Sequence, residues 1–406
     1  ARGGNAFDAA VAVAAALAVV EPYGSGLGGG GFWLLHRESD GFETMVDARE
    51  RAPLAATANM YLDADGNPVP RRSLDGALAA AIPGTPAAIV HVAQKYGRLP
   101  LAQALAPAVR LARAGFAVTP LYRKWAERRL AALGATPAAH VLLHQGEAPP
   151  LGHVIRQHEL ADVLARLGND QGKDFYRGNT ARLLVAGVRA AGGIWTRADL
   201  AQYRVVERTP VRVTYGGMRV TAAALPSSGG VVLGQMLAML EGFEMDRLDR
   251  VQRAELIIGA MRLAYRDRAR HLGDPDHVRV DVEGLLSPAY LESLRRELRA
   301  DTTMAEPMAL PAAAGENTTH FSIIDRDGNR AAVTLSLNGP FGSGFMPPGT
   351  GVLLNNEMDD FVLKPGAVNL YGLTGSAANA IAAGKRPLSS MTPAFLETDA
   401  AVVVLG

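Results

Sequence analysis

The spacing of apolar residues changes period several times along this chain, and each change marks an element. Ala9 to Val20 is made mostly of Ala and Val, with Asp8 ahead of it and Glu21-Pro22 behind. The run is shorter than the roughly 20 residues a bilayer span needs, so it predicts a buried helix over 5–20. Eight residues rich in glycine follow, Gly24-Ser25-Gly26-Leu27-Gly28-Gly29-Gly30-Gly31. Strand-like runs then occupy Phe32 to Arg37 and Phe42 to Asp47, either side of an Asp40-Gly41 turn. Leu, Ala and Val at three- to four-residue spacing predict helices through most of 85–165. Strand-like segments return over Val205 to Ala222. Pro226-Ser227-Ser228-Gly229-Gly230 breaks the chain, and helical patterns occupy 231–243 and Ala254 to Leu272. Residues 301–315 are rich in Ala and Pro, lack a period and read as a linker. Behind them Thr319 to Asp325 and Ala331 to Leu337 flank the turn Arg326-Asp327-Gly328-Asn329, which is a β-hairpin signature. Lys364 to Gly384 reads as a loop region rich in Gly and Pro. There is no internal repeat, and helices mixed with antiparallel-looking strands predict an α+β fold rather than a doubly wound sheet.

Composition narrows the function classes. The chain has 406 residues, 48% hydrophobic and 20% charged, enough for a large core and compatible with one to three domains. A formal net charge of +1 gives no reason to expect a nucleic-acid or membrane surface. There is no cysteine, which excludes thiol catalysis, disulfides and thiolate metal sites.

Four features invite a chemical reading. Gly24, Gly26 and Gly29 satisfy G-x-G-x-x-G, with Asp47 downstream. Dinucleotide binding requires the order strand, glycines, helix, and here the order is helix, glycines, strand. Close backbone packing is the better expectation. His140 and His144, four residues apart, could share a helix face; His153, His158 and Glu159 lie nearby. No recognised ligand spacing links them, so surface histidines are expected and no metal. Asn317-Thr318-Thr319 is a glycosylation tripeptide, which matters only in a eukaryotic secretory protein. The threonine pair itself is ordinary for a strand start. It is also where an N-terminal nucleophile would sit. If the bond before Thr318 is cut, the new α-amino group titrates near roughly 7.7–8 and becomes the base for the Thr318 hydroxyl, so no His or Asp partner is needed.

Nine blocks then fall in the order seen in one family: "GGNAFDAAVA" at 3–12, "GLGGGGF" at 26–32, "DARERAP" at 47–53, "IPGTPAA" at 82–88, "PSSGG" at 226–230, "LGDPD" at 272–276, "TTHFSIID" at 318–325, "LLNNEMDDF" at 353–361 and "KRPLSSMTP" at 385–393. Across nearly its whole length the chain resembles a γ-glutamyltransferase. The resemblance implies the N-terminal nucleophile αββα sandwich, two stacked antiparallel sheets between helix layers. It implies autoproteolysis between Asn317 and Thr318, giving a large-subunit region (1–317) and a small-subunit region (318–406) that stay intertwined as a heterodimer. Thr318 matches the nucleophile, and Thr334 and Ser336 the hydroxyl pair that supports it. Arg49, Ser389 and Ser390 match the residues that hold the α-carboxylate of the γ-glutamyl group. Asn338, Glu357 and Asp360 match those that hold its ammonium. Tyr371 lies in the segment that resembles a lid, Lys364 to Ala380. The implied substrates are glutathione and other γ-glutamyl compounds, with acceptor amino acids or dipeptides. No cofactor is expected, and the implied location is periplasmic or secreted. The resemblance also implies a chain cut short at both ends, with the two glycines of the oxyanion hole a few residues beyond Gly406.

These assignments make chemical sense on their own. A zwitterionic end group needs a cation and hydroxyls for its carboxylate, and acids for its ammonium. The alternative within the family is a cephalosporin or glutaryl acylase, whose substrate has no ammonium and no use for an acidic pair. The alternatives outside it are a non-catalytic binding protein and, more distantly, a dinucleotide-dependent oxidoreductase.

Overall fold

A computed structural model describes residues 3–300 and 318–406. The first element is the helix Ala6–Val20. It begins where Asn5 can cap it: the Asn5 side chain accepts from the Phe7 and Asp8 amides, and the Asp8 carboxylate accepts from the Asn5 amide. This reciprocal cap satisfies amides that the helix itself leaves unpaired. Phe7, Ala10, Val11 and Ala14 are buried in the same cluster as Trp33 and Leu35, so the helix lies on a sheet.

The strands are β1 (Gly30–Arg37), β2 (Phe42–Ala48), β3 (Phe116–Ala117), β4 (Val154–Ile155), β5 (Val206–Arg208), β6 (Val211–Tyr215), β7 (Met218–Ala222), β8 (Thr319–Ile324), β9 (Arg330–Ser336), β10 (Ala394–Glu397) and β11 (Val402–Leu405). Five form one sheet in the order β5-β2-β1-β9-β8, four form another in the order β11-β10-β7-β6, and β3 pairs with β4. All the paired strands are antiparallel.

Side-chain alternation explains why β1 is apolar on both faces. Trp33 and Leu35 point to the helix layer, while Phe32 and Leu34 meet Met45, Ala332, Ala223 and Phe395 between the two sheets. A strand covered on both faces needs no polar side. The outer face of the second sheet is covered in turn. Val211 of β6 packs near Leu225 and Val231, and the helices Gly229–Leu240, Arg250–His271 and Pro288–Ala300 share a cluster of Val232, Met239, Ala260, Leu263 and Leu294. Each Val, Leu or Met among them contributes roughly 1.5–3 kcal/mol on burial. The result is the helix–sheet–sheet–helix sandwich that the resemblance implied. The hairpin β8–β9 lies beyond the linker in sequence, yet β9 is hydrogen-bonded to β1.

The expected elements are present, with shifted ends. The helix expected from Ala254 starts at Arg250, because Asp249 caps it by accepting from the Val251 and Gln252 amides. The linker 301–315 and Asn317 lie outside the described residues. The helix Ala139–Leu142 stops before His144, so the helix face that His140 and His144 could have shared is absent, and His140 is exposed. His144 instead bridges to Glu147 across a turn in which Gln145 and Gly146 take positive φ. Among the described residues no group of His, Asp and Glu is placed to hold a metal ion.

Candidate active site

The glycine run brings three backbones together. A Cβ on Gly28 would collide with the Leu353 carbonyl, and one on Gly29 with the Ser336 carbonyl. These glycines let the end of β9 and the segment before Glu357 close against the entry to β1, a packing role and not a phosphate cradle. Asn355 locks the arrangement. Its amide nitrogen donates to the carbonyls of Gly28 (2.7 Å) and Ala81 (2.8 Å), and its oxygen accepts from the amides of Ala81 and Glu357, each at 3.0 Å.

Glu357–Asp360 is a single 3₁₀ turn, so residues three apart lie on one side of it. Both acids face Arg49, which follows β2 directly. Nη1 of Arg49 pairs with Glu357 and Nη2 with Asp360 Oδ2 at 2.5 Å, while Nε donates to the Pro387 carbonyl at 3.1 Å. Glu50 Oε2 lies 3.6 Å from Nη1. Arg49, Glu50 and Glu357 are each at most 1% exposed. The resemblance implies a carboxylate for Arg49 and an ammonium for the acids; the structure joins the cation and the acids to one another.

Electrostatics follow from that crowding. Burial works against the Arg49 charge, but Glu357, Asp360 and Glu50 outweigh it and raise its pKa. Burial pushes the Glu357 carboxyl up to about 7, opposed by Arg49 and reinforced by Asp360. Glu50 is driven well above the usual carboxylate range by burial and then by Glu357. Both Glu50 oxygens and Glu357 Oε2 are buried without a hydrogen-bond partner among the described residues. A neutral Glu50 costs far less in such a place than a charged one.

The segment that resembles a lid covers this cluster. Tyr371 donates its hydroxyl to the Asn338 carbonyl at 2.9 Å, Asn369 donates to Asp360 Oδ1 at 3.0 Å, and the Leu370 amide donates to Asp359 Oδ2 at 2.7 Å. Burial, then Asp360 and Glu357, hold the Tyr371 phenol protonated far above its ordinary range. Asn338 adopts φ of 72°, a left-handed conformation that Asn tolerates, and donates from its side chain to the Asn356 carbonyl at 3.0 Å. Its backbone amide donates to Ser336 Oγ at 2.8 Å.

Thr318 is exposed and stands immediately before β8. In the hairpin register Thr319 faces Leu335 and His320 faces Thr334, so one further step sets Thr318 level with Ser336. Thr334 Oγ1 lies 2.8 Å from His320 Nδ1, and Thr319 Oγ1 donates to Glu21 at 3.2 Å, which fixes the strand mouth. Ser389 is held by the "PSSGG" turn. The Ser389 amide donates to the Pro226 carbonyl, and the Ser228 amide and hydroxyl both donate to the Ser389 carbonyl, all at 2.8 Å. Ser389 Oγ accepts from the Met391 amide at 3.1 Å.

The structure thus brings Arg49, Glu357 and Asp360 into contact and joins Asn338 to them through Tyr371 and Asn369. Ser336 is joined to Asn338, and Pro387, two residues before Ser389, is joined to Arg49. Thr334 pairs with His320 instead. Sequence reasoning missed Glu50, although it lies in the quoted "DARERAP" block, and it missed His320 and Arg268. Arg268 Nε donates to Ser390 Oγ at 3.2 Å.

Comparison with known proteins supplies the family. The family model described as gamma-glutamyltranspeptidase matches residues 1–406. A glutathione hydrolase proenzyme from Pseudomonas sp. (strain A14) is 43% identical over 99% of this chain and 71% of its own length. Among solved structures, a cephalosporin acylase from Bacillus halodurans superposes with a TM-score of 0.83 at 32% identity, covering 98% of this chain and 71% of that one. A Helicobacter pylori gamma-glutamyltranspeptidase gives a TM-score of 0.72 at 36% identity over 78% of this chain and 92% of its own.

Proposed function

This chain belongs to the gamma-glutamyltranspeptidase family, and from that premise we propose that it cleaves the γ-glutamyl bond of glutathione and related compounds. The observation that carries the reading is the cluster of Arg49, Glu357 and Asp360 beneath Tyr371, whose hydroxyl bonds Asn338 and so ties it to Ser336 at the end of β9, level with Thr318. A guanidinium and two acids at such close quarters match both ends of an amino-acid head group, which then fixes the γ-carbonyl over the nucleophile.

In this reading the Thr318 hydroxyl first displaces its own amide nitrogen at the Asn317 carbonyl, and water hydrolyses the resulting ester, leaving a carboxylate on Asn317 and a free α-amine and hydroxyl on Thr318. The freed α-amino group of Thr318 takes the proton from Thr318 Oγ as that oxygen attacks the γ-carbonyl carbon. The C–N bond breaks, the amine leaves with the proton, and a γ-glutamyl ester remains on Thr318. Water or an acceptor amine then attacks the ester and restores the hydroxyl. Thr334 and Ser336 support the nucleophile; Ser389 and Ser390 join Arg49 on the carboxylate, and Asn338 joins the acids on the ammonium. The regions 1–317 and 318–406 stay together as one sandwich, a reading supported by the ladder between β1 and β9. No helix among the described residues is long and apolar enough to cross a membrane; the periplasmic or secreted location rests on the family alone.

The acylase alternative has a solved neighbour in its favour and the acid pair against it. Asp360→Asn decides between them. It keeps size and hydrogen bonding while removing charge from a pocket where an unpaired ammonium is costly. In the full-length protein kcat/KM for a γ-glutamyl anilide should fall at least about tenfold, equal to about 1.4 kcal/mol. The glutaryl anilide, which has no ammonium, should lose less or gain. Equal losses would make Asp360 structural, and a wild-type preference for glutaryl would make the protein an acylase.

The raised Glu357 pKa adds a pH signature. Below about 7 this carboxyl is largely protonated and attracts an ammonium weakly; above it the charge is present. KM for the γ-glutamyl anilide should therefore fall as pH rises through about 7. In Glu357→Gln that limb should flatten, while the rate still follows the Thr318 amine. A KM profile identical in both proteins would remove Glu357 from the ammonium site.

A further inference from the structure

Arg268 is a buried cation that the reaction as described does not use. It lies in the last turn of the helix Arg250–His271 and is 5% exposed. Among the described residues no carboxylate lies within ion-pair distance of its guanidinium. Its hydrogen bonds there both run from Nε, to Ser228 Oγ at 3.1 Å and to Ser390 Oγ at 3.2 Å. It lines a small cavity with Asp360, Asn369 and Asn379, under the segment that carries Tyr371. Burial lowers its pKa, and Asp360 is the main group that opposes this. A buried guanidinium without an ion-pair partner is costly, and a role elsewhere in the site would account for keeping it.

The hydroxyl protons suggest that role. Ser228 donates its own proton to the Ser389 carbonyl, so it can only accept from Arg268. Ser390 also accepts from Arg268, which leaves the Ser390 proton uncommitted. We infer that Arg268 is a positioning residue for the γ-glutamyl site: by occupying the Ser390 oxygen it turns the Ser390 O–H toward the substrate's α-carboxylate. The inference rests on the assignment of Ser390 to that carboxylate. The guanidinium adds positive charge behind the serine, which Arg49 cannot supply while its own charge is taken up by Glu357 and Asp360.

The test uses the full-length protein and two anilides, γ-glutamyl and 4-aminobutyryl; the second is the first without its α-carboxylate. Arg268→Met removes both charge and donor at similar volume. Arg268→Gln keeps an N–H donor near the position of Nε and removes only charge. Arg268→Met should raise KM for the γ-glutamyl anilide about tenfold, the scale of one hydrogen bond to a charged group, with kcat changed much less. The 4-aminobutyryl anilide should be nearly unaffected, and Arg268→Gln should recover part of the loss. On a Ser390→Ala background, Arg268→Met should cost no more than Arg268→Gln, because the donor then has no Ser390 oxygen to hold. Equal losses for both anilides would make Arg268 a structural staple and overturn the inference alone. If Ser390→Ala leaves the ratio between the anilides unchanged, the carboxylate assignment of Ser390 fails and the inference falls with it. Should Arg268→Met not fold, Arg268→Gln compared with wild type and with Ser390→Ala separates the same outcomes.

Discussion

Thr318→Ala is expected to leave the full-length protein as one uncut chain with its turnover lost. Two consequences share one cause. The hydroxyl that would attack the Asn317 carbonyl during maturation is the hydroxyl that would attack the substrate. Without the cut there is also no free α-amine, so nucleophile and base disappear together. Losing a covalent nucleophile that acts as a unit with its base costs on the order of 10⁵–10⁶ in rate. Thr318→Ser keeps an oxygen at the same place and should still cut. Thr319→Ala is the control: its hydroxyl bonds Glu21, away from the proposed chemistry, and cleavage should persist. Denaturing electrophoresis reads the cut, and N-terminal sequencing of the smaller piece must begin at Thr318. A smaller piece beginning elsewhere, or a Thr318→Ala protein that still splits, would end the nucleophile reading.

Much of this fold is legible in the sequence alone. The hairpin of β8 and β9, the helix ahead of the glycines and the acids three apart in "NNEMDDF" are local patterns, and local patterns survive in sequence. The glycine run reads as packing because its context is wrong for a phosphate loop, and the Leu353 and Ser336 carbonyls show what those glycines accommodate. What sequence does not carry is long-range. Arg268 sits in a helical pattern in which one more arginine among several carries no mark. Its meaning comes from Ser228 and Ser390, 40 and 122 residues away. The mutual pairing of Arg49 with Glu357 and Asp360 spans more than 300 residues and likewise leaves no local trace. The histidine pair fails for a nearer reason: four-residue spacing implies a shared face only if the helix continues, and the helix stops at Leu142.

Arg49→Lys should lower kcat/KM for the γ-glutamyl anilide by about 10²-fold, since a guanidinium grips a carboxylate with two parallel donors and an ammonium with a single point charge. That loss is about 2.7 kcal/mol, within the range of hydrogen bonds to charged groups. Lysine is the informative change. Alanine would leave Glu357 and Asp360 buried without their cation, which typically costs about 3–5 kcal/mol, or roughly the whole margin of a weakly stable fold. Lysine keeps a charge opposite the acids, and thermal unfolding shows whether the fold has held. The rival view is that Arg49 only pins the Glu357–Asp360 turn through its bonds to both acids. In that case Arg49→Lys lowers the melting temperature and leaves KM where it was. The glutaryl anilide separates the roles further. It retains the carboxylate and lacks only the ammonium, so Arg49→Lys should penalise glutamyl and glutaryl substrates alike, whereas Asp360→Asn should penalise glutamyl alone. Crossed effects of that kind assign the two charges of the head group to opposite sides of one ion-pair cluster. If both variants give the same selectivity change, the cluster is acting as a single structural unit and Arg49 has no separate claim on the carboxylate.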